Sequence, residues 1–358
     1  MSKILKKIAD NKWYLFMIII AALVVIKGVY TYSEYKEFLY APLRIDGQAM
    51  EFTVKPGSSM RQIAKELTEK GLLEKPTFLI VRARIRDLAQ SIKVGEYVIK
   101  AGTLPDGLLD QMVKGKVKQY SLTIIEGWTF ADLKHAISKH PNIRQTILDK
   151  NDTEIMQAIG QTGVHPEGRF YPDTYRFPIN TTDVEFLKRA YIHMERALAL
   201  SWQEKADKLP IKTPYEALIL ASIIEKETAL KSEYRQIAGV FVRRLQRKIR
   251  LQTDPTVIYG LGDQYKGNLK RKHLRTDTPY NTYTRKGLPP TPIAMPGIGA
   301  IKAALNPAAG KTLYFVAKGN GSHYFSKTLK EHNEAVIRYQ LKGDRTKSFS
   351  SRPVADKK

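Results

Sequence analysis

The sequence predicts an α+β protein that consists of an N-terminal transmembrane helix, a small α+β module and a larger mixed α+β domain. Three observations support this prediction: an unbroken apolar run near the N-terminus, alternating strand and helix patterns, and a long apolar helix near residue 220. The 358 residues suffice for two or three domains. The predicted divisions are a cytoplasmic tail at 1–12, a transmembrane helix at 13–32, a stalk at 33–48, the small module at 49–117, the larger domain at 118–344 and a basic disordered tail at 345–358.

The transmembrane helix is predicted from residues 13–26, which carry no charge and lie directly after Lys3, Lys6, Lys7 and Lys12. A helix from Trp13 to about Tyr32 crosses roughly 30 Å of hydrocarbon. The alternative is a cleaved signal peptide, but bulky residues stand where a small-x-small cleavage site belongs. We therefore expect an uncleaved anchor. The preceding lysines place the N-terminus in the cytoplasm and the rest of the chain outside, which in a bacterium with two membranes means an inner-membrane protein with periplasmic domains.

The charge balance favours an anionic partner, because 59 Lys plus Arg face 35 Asp plus Glu. The basic residues are spread along the chain and no nucleic-acid-binding motif accompanies them, so nucleic acid is not the predicted partner. Membrane lipids suit the same charge. Cysteine is absent, which excludes disulfides and thiolate metal sites. His273, His323 and His332 lack the close spacing of metal ligands, so no metal or other cofactor is predicted.

The small module begins with a strand pattern at 51–54, a Pro-Gly turn and a serine that suits a helix N-cap. Apolar residues then recur at helical spacing, and further patterns predict a helix at 75–88, a strand at 94–99 and a short helix at 104–113. The stretch resembles a LysM module, a family that binds the glycan backbone of cell walls. An insertion between its helices departs from the simplest LysM pattern. Glycan binding and a plain spacer role therefore both stay open.

The larger domain opens with a strand at 120–125 and a helix from about Phe130, followed by a surface turn at 149–154. An aromatic-rich segment at 166–177, which contains Glu167, suits a loop or short strands that line a cleft. Helices are predicted at 183–209, 214–228 and 233–248, and Gly- and Pro-rich loops follow at 251–260 and 279–290. A helix from about Gly299, a strand at 313–317, a turn and strand at 319–325 and a helix from Leu329 complete the pattern.

The central helix is the most informative element of the larger domain. Thr213 suits its N-cap, Pro214 its first position and Glu216 the acidic position of a capping box. At 100° per residue, Glu227 then points between large apolar side chains, whereas Glu225 lies nearer small ones. A carboxyl among apolar groups has a raised pKa and is a candidate general acid. The alternative is a solvated helix end in which Glu227 pairs with Lys231.

Four short motifs follow in order along the larger domain. They are Ile-Ile-Glu-Lys-Glu-Thr at 223–228, Leu-Gln-Thr-Asp-Pro-Thr-Val-Ile-Tyr-Gly at 251–260, Tyr-Asn-Thr-Tyr at 280–283 and Gly-Leu-Pro-Pro at 287–290. In this order and spacing they resemble the endolytic murein transglycosylases of the MltG, or YceG-like, family. The resemblance runs from the anchor to about residue 340.

The resemblance implies an inner-membrane enzyme that cuts the β-1,4 bond between N-acetylmuramic acid and N-acetylglucosamine in nascent peptidoglycan strands and associates with penicillin-binding synthases. The family's catalytic glutamate matches Glu227, which agrees with the helical-wheel argument. A lytic transglycosylase uses the substrate's own C6 hydroxyl as nucleophile, so one carboxyl suffices as acid and then base. Predicted substrate-binding residues are Gln252, Thr253, Asp254, Asn281, Tyr283 and His323, and predicted supporting residues are Glu225 and Glu167.

Three other functions stay open at the level of the sequence. A muramidase would use water as the nucleophile and Asp254 as the second carboxylate. A non-catalytic adaptor would bind the cell wall and need no acid at Glu227. A membrane-tethered nucleic-acid binder has only the net charge of +24 in its favour.

Overall fold

The computed structural model describes residues 12–344. The predicted cytoplasmic tail, apart from Lys12, and the predicted basic tail at 345–358 lie outside the described residues. The chain divides between Tyr120 and Ser121 into two compact units. The predicted boundary between residues 117 and 118 lies three residues before this division.

Helix α1 spans Lys12–Tyr40 and is the one helix among the described residues that is long and apolar enough to cross a membrane. The predicted helix ended near Tyr32, so the first part of the predicted stalk at 33–48 is helical instead. The reason is packing within the first unit: Tyr35 and Phe38 place their ring centroids 5.6 and 5.7 Å from that of Phe78. These aromatic contacts extend the helix beyond its apolar segment.

The rest of the first unit follows the predicted order of elements. It contains β1 Ala49–Val54, α2 Met60–Glu69, α3 Pro76–Ile85, β2 Gly95–Lys100 and α4 Pro105–Lys114. Strands β1 and β2 pair antiparallel, with Phe52 opposite Tyr97, and both side chains are fully buried. Ser59 caps α2 through a capping box with Gln62, as the serine before this helix predicted. Glycan binding by this module stays a prediction.

The start of the second unit contains small elements around two short sheets, and the first strand begins at Tyr120, the last residue before the division. The elements are β3 Tyr120–Thr123, α5 Phe130–Lys139, β4 Ile143–Arg144, α6 Asp152–Ala158, β5 Thr174–Phe177 and β6 Thr181–Thr182. Strand β3 pairs with β5, and β4 pairs parallel with β6. The surface turn predicted at 149–154 is partly wrong. Asn151 and Glu154 form a capping box there, so helix α6 begins at Asp152.

A helical layer forms the core of the second unit. It contains α7 Asp183–Gln203, α8 Pro214–Glu227, α9 Tyr234–Gln246, α10 Asp254–Leu261, α11 Arg271–Arg275 and α12 Ile298–Leu305. Helix α8 contacts α7, α9, α10 and α12, and all its side chains from Ala217 to Ile224 are buried. Two predictions need correction here. Helix α7 ends at Gln203 and not at the predicted residue 209. Most of the loop predicted at 251–260 belongs to helix α10, because Pro255 is compatible with a first helical turn.

The second unit ends with a hairpin and a helix. Strands β7 Tyr314–Ala317 and β8 His323–Ser326 pair antiparallel, and helix α13 Leu329–Tyr339 contacts both strands. A capping box between Thr328 and Glu331 fixes the start of α13. The mixture of helices with short two-stranded sheets confirms the predicted α+β class.

Candidate active site

Helix α8 carries Glu227 as its last residue. The Thr213 hydroxyl accepts a hydrogen bond from the Glu216 N–H at 3.1 Å, and Pro214 occupies the first helical position, so the predicted start is confirmed. The predicted capping box is not formed, because the Glu216 carboxylate accepts from the Lys212 N–H instead. At the other end Thr228 is extended. Glu227 therefore lies at the C-terminal end of α8, just beyond the buried part of the helix.

Glu227 lines a cleft of about 300 Å³ in the second unit, which we call the Glu227 cleft. One wall comes from α8, α9 and the start of α10, and the other from β7, β8 and α13. Its lining residues are Glu227, Arg244, Leu251, Gln252, Asp254, Phe315, Val316, Ala317, His323, His332, Val336 and Gln340.

The Glu227 carboxyl is half-buried, and burial raises its pKa to about 7. The hydrogen bond from the Thr253 hydroxyl to Oε1 and the positive charge of Arg244 both lower the pKa of Glu227. The negative charge of Asp254 raises it further. A substantial fraction of Glu227 is thus protonated near neutral pH. The alternative pairing with Lys231 is not present, because the Lys231 ammonium lies 2.6 Å from the Glu126 carboxylate.

The motifs at 251–254 and 280–283 lie side by side next to Glu227. The Gln252 N–H donates to the Thr282 carbonyl at 3.1 Å, and the Thr253 N–H donates to the Thr282 hydroxyl at 3.0 Å. Gln252 has φ of +51°, in the left-handed region that non-glycine residues seldom adopt. This turn places the Gln252 side chain on the cleft and the Thr253 hydroxyl on Glu227.

Asp254 forms a second acidic position on the cleft. The Tyr283 hydroxyl donates to Asp254 Oδ1 at 2.6 Å, and burial raises the pKa of Asp254. Burial also raises the pKa of Tyr283, which stays a hydrogen-bond donor at neutral pH. The Arg250 guanidinium donates a hydrogen bond to the Tyr283 carbonyl at 2.8 Å, which holds the Tyr283 backbone. Asp254 and Tyr283 are therefore a linked pair close to Glu227.

Asn281 is a predicted sugar-binding residue that the structure buries and that is not part of the cleft lining. It is 1% exposed, and its amide donates to the carbonyls of His273, Leu274 and Thr276 at 2.7 to 3.2 Å. Its side-chain oxygen accepts from the Tyr283 N–H at 2.9 Å. The Asn281 side chain thus holds the loop that presents Tyr283.

Neither predicted supporting acid is part of the cleft lining, and each accepts hydrogen bonds from a backbone N–H and a tyrosine hydroxyl. Glu225 accepts from the Tyr234 hydroxyl at 2.8 Å and from the Gly297 N–H at 2.9 Å, and burial raises its pKa. Glu167 accepts from the Phe130 N–H at 3.1 Å and from the Tyr259 hydroxyl at 3.0 Å. Burial raises the pKa of Glu167 to about 7. Each acid joins separate elements of the second unit.

His323 lines the cleft, and its Nδ1 lies 2.6 Å from the carboxylate of Glu233. Its contact with the substrate stays a prediction. Arg244 was not predicted. Its guanidinium donates to the carbonyls of Leu313 and Leu251 at 2.7 and 2.9 Å, which joins the two walls of the cleft. Arg244 lies on a helix rich in basic residues, so no local sequence signal distinguishes it. Among residues 12–344, no three His, Cys, Asp or Glu side chains lie together as a metal site requires.

The comparisons with known proteins agree on one family. The YceG-like family model matches residues 52–338. The chain is 30% identical over 333 residues to the endolytic murein transglycosylase of Bacillus subtilis, covering 88% of this chain and 91% of the relative. It is 26% identical over 345 residues to the Streptococcus pneumoniae protein of the same name, covering 86% of this chain and 62% of the relative. The chain is also similar to the crystal structure of a yceG-like protein from Listeria monocytogenes, with a TM-score of 0.52 and 29% sequence identity. The match includes 81% of this chain and 99% of the Listeria chain. The chain therefore belongs to the YceG-like family.

Proposed function

We propose that this protein is a membrane-anchored endolytic murein transglycosylase, a lytic enzyme that cuts peptidoglycan glycan strands internally. The bond cleaved is the β-1,4 bond between N-acetylmuramic acid and N-acetylglucosamine. The observation that carries the proposal is a carboxyl of raised pKa, Glu227, on a cleft that is also lined by residues of the motif at 251–260. The names of the Bacillus and Streptococcus relatives support the same reaction.

In the first step, protonated Glu227 donates its proton to the glycosidic oxygen as the bond from that oxygen to C1 of N-acetylmuramic acid breaks. Positive charge develops on C1 and the ring oxygen, as in other glycosidic cleavages. Thr253 holds Oε1 of Glu227, which favours donation from Oε2. A pKa near 7 suits this role, because the group is then protonated in part of the molecules and still acidic enough to donate.

In the second step, the Glu227 carboxylate takes the proton from the C6 hydroxyl of the same sugar, and O6 bonds to C1. The product is a 1,6-anhydro end, and Glu227 returns to its protonated state. One carboxyl therefore serves both steps, and no water or cofactor enters the reaction. Asp254, held by Tyr283, is placed to stabilise the positive charge on the sugar.

The other predicted residues have supporting roles in this proposal. Gln252 and His323 line the cleft and offer polar groups to the sugar hydroxyls and acetamido groups. Asn281 acts indirectly, because it fixes the backbone of Tyr283. Glu225 and Glu167 preserve the shape of the second unit, and we assign neither of them a contact with the substrate.

Helix α1 supplies the membrane anchor in this proposal. Its apolar side chains from Trp13 to Ile26 are mostly exposed to the surroundings, which suits lipid contact. The lysines before it place the N-terminus in the cytoplasm and the cleft on the outer side of the membrane, the periplasm in a bacterium with two membranes. There the enzyme meets newly made strands and the penicillin-binding synthases that we expect as partners.

Product analysis tests the proposal. The full chain in detergent is incubated with glycan strands, and mass spectrometry measures the masses of the newly formed ends. We expect 1,6-anhydro ends from internal cuts. Ends heavier by one water would identify a muramidase, in which water is the nucleophile, and unchanged strands would favour a wall-binding adaptor.

A further inference from the structure

Three side chains, Arg244, Tyr314 and His332, form a stack that ends at the α13 wall of the Glu227 cleft. The guanidinium carbon of Arg244 lies 4.9 Å from the centroid of the Tyr314 ring, and the Tyr314 and His332 rings stack with centroids 5.3 Å apart. His332 is 6% exposed and lines the cleft. Backbone carbonyls hold Arg244 at one end of the stack. The stack therefore holds the His332 ring against Tyr314 beside the cleft.

Two polar atoms on this wall are buried without a hydrogen bond from any residue that the structure describes. They are Nδ1 of His332 and Oε1 of Gln340. The two residues lie eight positions apart, with Val336 midway, and all three line the cleft. Unsatisfied buried polar atoms oppose folding and are rare in proteins, so their presence together on one cleft wall points to a ligand that supplies the missing hydrogen bonds.

The chemistry of these atoms indicates which ligand groups fit. Burial and the charge of Arg244 lower the pKa of His332 to about 4, so its ring is neutral at the pH of the cell surface. A neutral imidazole and an amide oxygen can both accept hydrogen bonds. Hydroxyl and acetamido N–H groups of a sugar are matching donors. Peptide N–H groups of a stem are donors too, so substrates with and without stems separate the two, whereas a stem carboxylate would meet acceptor atoms.

We propose that His332 and Gln340 form a saccharide subsite of the Glu227 cleft, which accepts hydrogen bonds from an uncharged sugar unit next to the bond that is cleaved. This inference rests on the proposed function of the cleft. It adds a recognition role for α13, which lies outside the four family motifs.

The variants His332→Phe and Gln340→Leu test the subsite. Phe keeps the stack on Tyr314 and removes the ring nitrogens, and Leu removes the amide. The matched control is Ser326→Ala, because the Ser326 hydroxyl is also buried and unpartnered among the described residues but is not part of the cleft lining. All proteins are full-length and in detergent, and the substrates are soluble glycan strands with intact peptide stems or with the stems removed.

We expect KM to rise about tenfold in His332→Phe and in Gln340→Leu, since each variant loses one hydrogen bond to the sugar. The kcat and the anhydro product should stay as in the wild type. Both substrates should show the same rise. The melting temperature should not fall in His332→Phe, because a buried unsatisfied atom is removed, and Ser326→Ala should change neither KM nor kcat.

Two results would overturn the subsite. One is an unchanged KM in both variants, which is what a buried water on His332 and Gln340 would give. The other is a KM rise confined to strands with peptide stems, which would assign this wall to the peptide. Failure of the proposed function is a separate result, because the wild-type protein would then release no anhydro ends.

Discussion

Glu227 and Glu167 are two acids of the second unit with the same raised pKa and different surroundings. Burial raises the pKa of both to about 7. Glu167 is 4% exposed and accepts hydrogen bonds from Phe130 and Tyr259, so it is enclosed within the core. Glu227 is half-buried and lines a cleft.

The difference shows that a raised pKa does not by itself identify a catalytic acid. Desolvation shifts the pKa of any buried carboxyl, whether or not a substrate can reach it. The distinguishing property of Glu227 is its access to a space lined by polar and aromatic side chains. Glu167 is therefore a natural control for Glu227.

The largest expected effect separates the two acids by activity. Glu227→Gln should lower kcat by about 10³-fold or more, because the amide cannot give up a proton to the leaving oxygen. Glu167→Gln should change kcat by less than about threefold, since Gln can preserve hydrogen bonds to Phe130 and Tyr259. Release of anhydro ends from glycan strands measures both. Full activity in Glu227→Gln, or an equal loss in both variants, would contradict the assignment of the acid.

The pH dependence should show the same contrast. The reaction needs protonated Glu227, so kcat/KM should fall about tenfold per pH unit above a midpoint near pH 7. Because Glu167 titrates in the same range, the wild-type profile alone does not identify the group responsible. This fall of kcat/KM above pH 7, the alkaline limb of the pH profile, should persist unchanged in Glu167→Gln. Its disappearance from that variant would assign the limb to Glu167.

A smaller effect is expected at the hydroxyl that contacts Glu227. Thr253→Val removes a hydrogen bond that lowers the pKa of Glu227, so the pKa should rise and the alkaline limb should move to higher pH. At the optimum pH we expect kcat/KM to fall less than about tenfold, because the acid itself remains. The control is Thr256→Val: the Thr256 hydroxyl bonds Thr253 and Thr282 and does not touch Glu227. A limb that stays in place in Thr253→Val would contradict the proposed contact.

The sequence predicted local features of this site better than distant ones. Thr213 and Pro214 defined the start of α8 correctly, because capping depends on neighbouring residues. The same local chemistry explains an error: the predicted loop contains Pro255, which lies in the first turn of α10. Arg244 and His332 both contact Tyr314 of β7, which lies 70 and 18 residues away from them in the chain. Such contacts depend on tertiary packing, which periodicity does not contain.

The smallest expected effect concerns stability and distinguishes Glu167 from its neutral analogue. The folded-state pKa of Glu167 is raised above its value of about 4.5 in the unfolded chain, so its contribution to stability is largest below pH 4.5 and declines as the pH rises through 7. Gln does not titrate. Between pH 4 and pH 8, the wild type should therefore lose about 2–3 kcal/mol of unfolding free energy relative to Glu167→Gln.

Urea unfolding of both proteins at each pH measures this difference. Glu227, Glu225 and Asp254 also have raised pKa values, but they are present in both proteins and cancel in the comparison. A difference that does not change with pH would mean that Glu167 stays charged or exposed in the folded protein. A slope of the expected sign, together with near-normal activity, would show that Glu167 has the acidity of a catalytic residue without the access to substrate that Glu227 has.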